Sequence, residues 1–154
     1  MGIRCSAKAV ILSDDCILAN QSVSEEGEIY YEFPGGGQNI FEDMETAVAR
    51  EVLEETGYQI RVERLLAVAE EIYDDPAIRE KYPDYTHRIF HIFLAKRVSD
   101  SRQTVLEKDF HQIGSVWVPI QEANQLNFRP AQIKGKITEL VSWRDAAYLG
   151  AVHI

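Results

Sequence analysis

Glu51, Glu54 and Glu55 are the residues best placed to do chemistry, because they stand at i, i+3 and i+4 in a run of good helix formers. Asp43 is suited to cap the start of that run and Gly57 to end it. On such a helix the three carboxylates are neighbours, their Cβ atoms only ~5–6 Å apart. Charges that close repel, which leaves two comfortable outcomes. The cluster faces water beside compensating cations, or it grips a hard divalent cation such as Mg2+ through its oxygens. Arg50 is one cation against three anions. A solvated helix face laced by i,i+4 pairs is the plain alternative.

The approach to the helix weighs against that alternative. Phe33-Pro34-Gly35-Gly36-Gly37 supplies a strand end, a rigid proline and three glycines, which let a backbone come close to a ligand. A phosphate loop feeding a metal-binding helix has this composition. Gly36, Glu42, Arg50, Glu51, Val52, Glu54, Glu55 and Gly57 together match G-x5-E-x7-R-E-U-x-E-E-x-G-U, with U a bulky aliphatic residue. In this the stretch resembles the Nudix box, the signature of the Nudix hydrolases. Tyr58 departs from the pattern at the last position, where the family usually has Ile, Leu or Val; the ionic set is intact.

The resemblance implies hydrolysis of the pyrophosphate bond in a nucleoside diphosphate linked to another group, by attack of water on phosphorus. Mg2+ is the implied cofactor and Mn2+ the alternative ion. Glu54 and Glu55 become the main metal ligands, Glu51 a ligand or the general base, the Gly36 carbonyl a further ligand, and Arg50 the group that orients Glu51. Glu42 pairs with Arg50 or reaches metal through water, its alternative being an electrostatic role at the helix start. Several Nudix enzymes take another acidic residue from further along, which makes Glu107 and Asp109 candidates, with a solvated loop as the simpler account of both.

Two rival readings keep the family and change the activity. One is a non-catalytic, regulatory nucleotide-binding domain, against which the intact acidic set argues. The other is diphosphate isomerisation, which in the related isomerases relies on a reactive cysteine; Cys5 and Cys16 have no match to that position. Markers of the ADP-ribose and dinucleoside polyphosphate enzymes lie some fifteen to eighteen residues beyond the box, a window that Tyr73 and Pro76 straddle without deciding it. A small nucleotide, either a nucleoside triphosphate or ADP-ribose, is the expected substrate.

Charge agrees with an ion-mediated site. A formal charge of -9 argues against a nucleic-acid polymer, which needs clustered Lys and Arg. An acidic site can then hold a polyanionic substrate only through a metal. Related enzymes are often dimers, so a homodimer is expected slightly ahead of a monomer. No apolar run has the length of a membrane span, the first residues lack signal-peptide organisation, and a cytoplasmic location is the default.

The elements that must position these residues fit one domain over 1–154, a length suited to a single core. Residues 4–12 and 16–19 read as a hairpin through Asp14-Asp15, with Arg4, Ser6 and Lys8 on one face, where they reach substrate phosphate or simply meet water. Residues 29–33 form a strand whose aromatics, Tyr31 among them, either stack on a nucleobase or fill the core, core being favoured. One or two strands are expected over 60–73, a surface loop serving as lid or solvated connection over 74–85, and a buried strand over 86–95. In that strand His87 and His91 are polar or substrate-lining positions, not a zinc site. A short strand at 115–119, a small helix near 121–125 and an amphipathic final helix from Pro130 complete the order. This is the α/β (α+β) pattern expected of a Nudix-type α/β/α sandwich, a mixed sheet between helices with the catalytic loop-helix motif.

Overall fold

The computed structural model describes residues 2–105, 108 and 111–154. Among these, the strands are β1 (Arg4–Ser13), β2 (Cys16–Val23), β3 (Ile29–Glu32), β4 (Gly35–Gly37), β5 (Ile60–Ile72), β6 (His87–Arg97), β7 (Gln112–Pro119), β8 (Phe128–Arg129) and β9 (Ala147–His153). The helices are α1 (Met44–Thr56), α2 (Pro76–Lys81), α3 (Ile120–Ala123) and α4 (Ile137–Ser142).

Asp14 and Asp15 take φ of 47° and 61°, a region their short polar side chains tolerate, and so turn β1 back into β2. Beyond that turn the two strands part. β1 runs parallel to β6 and antiparallel to β4, while β2 pairs antiparallel with β3 and β7. β5 and β9 extend the sheet past β6, and β8 lies parallel to β3. The parting opens a cleft between the β1–β6 and β2–β3 regions, with the glycines of β4 at its edge.

Alternation along β1 builds both cores. Ala7, Ala9 and Ile11 face α1, whose Val48 and Val52 pack on them with no exposed surface. Burying each such valine contributes roughly 1.5–3 kcal/mol. Val10 faces the other way, into a cluster with Ile17, Phe33, Ile92 and, from the opposite layer, Ile137 and Leu140 of α4. Helices thus cover both faces of a mixed sheet.

Residues 60–72 form one strand, bent by register shifts between Val62 and Arg64 and between Leu65 and Ala67. The structure departs from the sequence-based expectation in three places. The three glycines pair as a strand, with Gly35, Gly36 and Gly37 opposite Lys8, Ala7 and Ser6. The 74–85 segment holds α2, capped by Asp75 and opened by Pro76. The final helix is shorter than expected: a 3-10 turn at Ala131–Ile133 and Gly135 at φ 77° precede α4, and the chain then adds β9. No helix among the described residues is long and apolar enough to cross a membrane.

Candidate active site

α1 starts and ends on side chains and backbone suited to the task. Asp43 accepts a hydrogen bond from Thr46 N at 2.8 Å. At the other end Gly57 closes the helix at φ 78°, and a Cβ there would collide with the carbonyl of Gln103, so only glycine serves. The phase of the carboxylates is set between these two points.

Arg50 is the hub of the charges. Its guanidinium donates from Nε and Nη2 to the two oxygens of Glu42 at 2.8 and 3.0 Å, a bidentate pair. From Nη1 it reaches Glu51 Oε1 at 2.9 Å and Glu54 Oε2 at 3.3 Å, and from Nη2 the Gly37 carbonyl at 3.2 Å. The bond from Arg50, helped by one from Asn39 N, lowers the Glu42 pKa from its ordinary 4.5 to about 2. Arg50 in turn holds its proton more tightly, chiefly through Glu42. Glu42 is therefore an anchor that aims one cation at two carboxylates of the box.

Glu51 and Glu55 lie on the sheet side. A Cβ on Gly36 would stand 2.6 Å from the Glu51 carboxyl carbon, so this carboxylate rests on a backbone that has room for it only because the residue is glycine. Glu55 is 3% exposed. Its Oε2 accepts from Asn20 Nδ2 at 2.7 Å and Gly35 N at 3.0 Å, and Ser115 Oγ donates to Asn20 Oδ1 at 2.8 Å, which fixes the amide. This burial sets Glu55 apart from a solvated helix face.

Beside Gly36 and Glu51 opens a cavity of about 600 Å³. Arg4, Ser6 and Lys8 from β1 and Arg88 and Phe90 from β6 line one side; Ser22, Tyr30, Glu32 and Arg129 from the β2–β3–β8 region line the other. Tyr73, Tyr82 and Tyr85 close it from the segment around α2. Lys8, 8% exposed, donates to the Gly35 carbonyl at 2.8 Å. The Arg4 guanidinium lies 4.7 Å from the Tyr85 ring centre and beside Gly37, and that of Arg129 lies 3.7 Å from the centre of Tyr30. Arg88 is held by the buried Glu71 and by the Tyr73 hydroxyl.

Of the expected site residues Gly36, Glu51, Arg4 and Lys8 line this cavity, while Arg50 reaches Glu51 and Glu54, and Glu55 accepts from the Gly35 N–H. Tyr31 goes elsewhere: its ring packs 5.9 Å from that of Phe128, and the neighbouring Tyr30 takes the cavity face, because alternation sends adjacent strand residues to opposite sides. His87 and His91 do not line the cavity; Arg88 and Phe90, on the other face of β6, do. Glu107 and Asp109 lie outside the described residues. Arg88 was legible from the alternation of β6, whereas Arg129 sits in a two-residue strand that leaves no periodic signal.

Among the described residues no three histidine, cysteine or carboxylate side chains stand together closely enough to hold a metal ion as they are. Glu51 over the Cβ-free Gly36, with Glu54 and Glu55 three and four residues on along α1, offers oxygen donors, the type a hard divalent cation takes.

Comparison with known proteins places the chain. The NUDIX domain family matches residues 3–140. A NUDIX hydrolase from Nitrosomonas europaea superimposes with a TM-score of 0.71 at 22% identity, over 91% of this chain and 88% of that one. A MutT NUDIX hydrolase from Burkholderia pseudomallei is 29% identical over 79% of this chain and 86% of its own, with a TM-score of 0.58. An ADP-ribose pyrophosphatase from Streptococcus suis gives 0.64 at 16% identity over 94% and 98%. With the box in register, its carboxylates gathered by Arg50 and the mixed α+β sheet shared with these structures, the chain belongs to the Nudix family and is a hydrolase acting on phosphoric anhydrides.

Proposed function

We propose that this enzyme hydrolyses the pyrophosphate bond of a nucleoside diphosphate-linked small molecule, a nucleoside triphosphate or an ADP-ribose-like compound, with Mg2+ as the working ion. The observation that carries the reading is the Glu51 carboxylate seated on Gly36 where the cavity meets Arg4 and Lys8. Anionic and cationic groups adjoin there, as a phosphate substrate and its counter-ion require.

Glu51, Glu54, Glu55 and the Gly36 carbonyl are the groups that would hold the ion, which when bound supplies phosphate neutralisation and an acidified water. The chain's own side chains do the remaining work. Arg4 and Lys8 draw the phosphates against the glycine strand. Arg50, tied to Glu42, keeps Glu51 and Glu54 in place against their mutual repulsion. Glu51, the box carboxylate that lines the cavity, is placed to take the proton of the attacking water.

Glu54→Gln removes a charged oxygen donor while keeping shape. The expected result is a loss of about 100-fold or more in Mg2+-dependent phosphate release, since losing even an outer partner of a metal ligand costs about 10–100-fold. The circular dichroism spectrum should remain native. Near-native turnover by a folded variant at saturating Mg2+ would refute the role.

A further inference from the structure

The cavity has two ends with different chemistry. One end is the glycine strand with Glu51 and the cations Arg4 and Lys8. The other is formed where Tyr30 and Arg129 meet Tyr73 and Tyr82, and there the Arg129 guanidinium carbon stands 3.7 Å from the Tyr30 ring centre. Among the described residues the Arg129 guanidinium makes no hydrogen bond or ion pair, so its planar array of five N–H donors is uncommitted. Arg88, which also lines the cavity, is by contrast tied to Glu71 and Tyr73.

A guanidinium held over a ring keeps its donor fork for a ligand, and a group that meets the fork bidentately must offer two adjacent acceptors. Glu32, the register partner of Arg129 across the β3–β8 pair, lines the same cavity and adds an acceptor-only carboxylate. A phosphate would satisfy the arginine and be repelled by the glutamate. A guanine-type base satisfies both, because it presents the acceptors O6 and N7 on one edge and N–H donors on another. Adenine sets an amino donor beside N7, which faces arginine donor to donor. Tyr73 and Tyr82 supply rings suited to a flat ligand.

We propose that Arg129 is the specificity-determining residue of this site and that, with Glu32, it selects a guanine-type base at the end of the substrate remote from the cleaved anhydride. The inference rests on the hydrolytic reading above and adds the substrate class.

The test compares kcat and KM for GTP and ATP with Mg2+ in the wild type, Arg129→Gln and Arg129→Lys, with circular dichroism as the check on folding. A bidentate arginine–guanine contact corresponds to roughly 10- to 100-fold in discrimination. The wild type should favour GTP by that margin. Arg129→Gln should lose it through KM, and, because a glutamine amide matches the adenine edge, should hold or improve its use of ATP. Arg129→Lys, which keeps the charge and loses the fork, should not restore GTP use. Equal use of GTP and ATP by the wild type, an equal loss on both in the glutamine variant, full rescue by lysine, or a fall in kcat alone would each overturn the assignment. If the wild type hydrolyses neither these nucleotides nor ADP-ribose and GDP-linked sugars, the hydrolytic reading has failed. Calorimetric titration with GDP and ADP then decides Arg129 separately: tighter GDP binding that disappears in Arg129→Gln upholds it, and equal binding rejects it.

Discussion

Glu42 shows how a residue away from the cavity acts on those within it. Its two oxygens hold Arg50, and that cation then reaches Glu51 and Glu54. The pairing has a pH signature with a definite sign. Glu42 titrates at about 2 in the fold instead of 4.5, so the folded state favours its ionised form. Its stabilising contribution is complete above pH 4.5 and is lost as pH falls from 4.5 through 2. Glu42→Gln should lower the denaturation midpoint at pH 7 and flatten the dependence of stability on pH across that window. Urea titrations of both proteins at pH 7, 4 and 3 measure the difference, and parallel curves would deny the pairing its energetic role. These ionic partners were readable in the sequence because type and spacing on one helix define them. Glu55 carried no such signal for its surroundings: Asn20 and Ser115 meet it from strands distant in sequence.

At the scale of elements, α1 is positioned by its cap, by Gly57 and by two valines. Asp43 provides a side-chain acceptor to the first turn. Asp43→Ala should therefore cost about 1 kcal/mol of stability, with unchanged KM, as loss of an N-cap does. Chemical denaturation checks this, and a change below about 0.3 kcal/mol would show that packing of Val48 and Val52 alone fixes the helix start. This helix was legible because cap, formers and terminal glycine agree over 13 residues. β8 and β9 were not. The first has two residues, and the second follows a helix cut short by Gly135, its strand character arising from parallel pairing with β5. Pairing to a distant strand is tertiary, and no local pattern encodes it.

At the scale of the molecule, ligand and fold are linked. Anything that binds the folded state alone adds RT ln(1 + [L]/Kd), about 2.7 kcal/mol at a hundredfold excess over Kd. A methylene-bridged nucleoside triphosphate with Mg2+ should accordingly raise the melting temperature by roughly 5–10 °C for a chain of this size. A thermal shift assay reads this, and the rise should shrink in Glu54→Gln; no shift in the wild type at millimolar analogue would exclude tight binding. The cleft where β1 parts from β2 makes a further difference, to inheritance. The box carboxylates belong to α1, which is locked to the sheet by valines without exposed surface. The rings at the far end come in part from the 73–85 segment, where Tyr82 and Tyr85 are 43% and 51% exposed. Substitutions at those exposed rings repack little and leave α1 where it stands. A lineage carrying this scaffold can thus exchange its diet of nucleotides one surface residue at a time while keeping the same scissors.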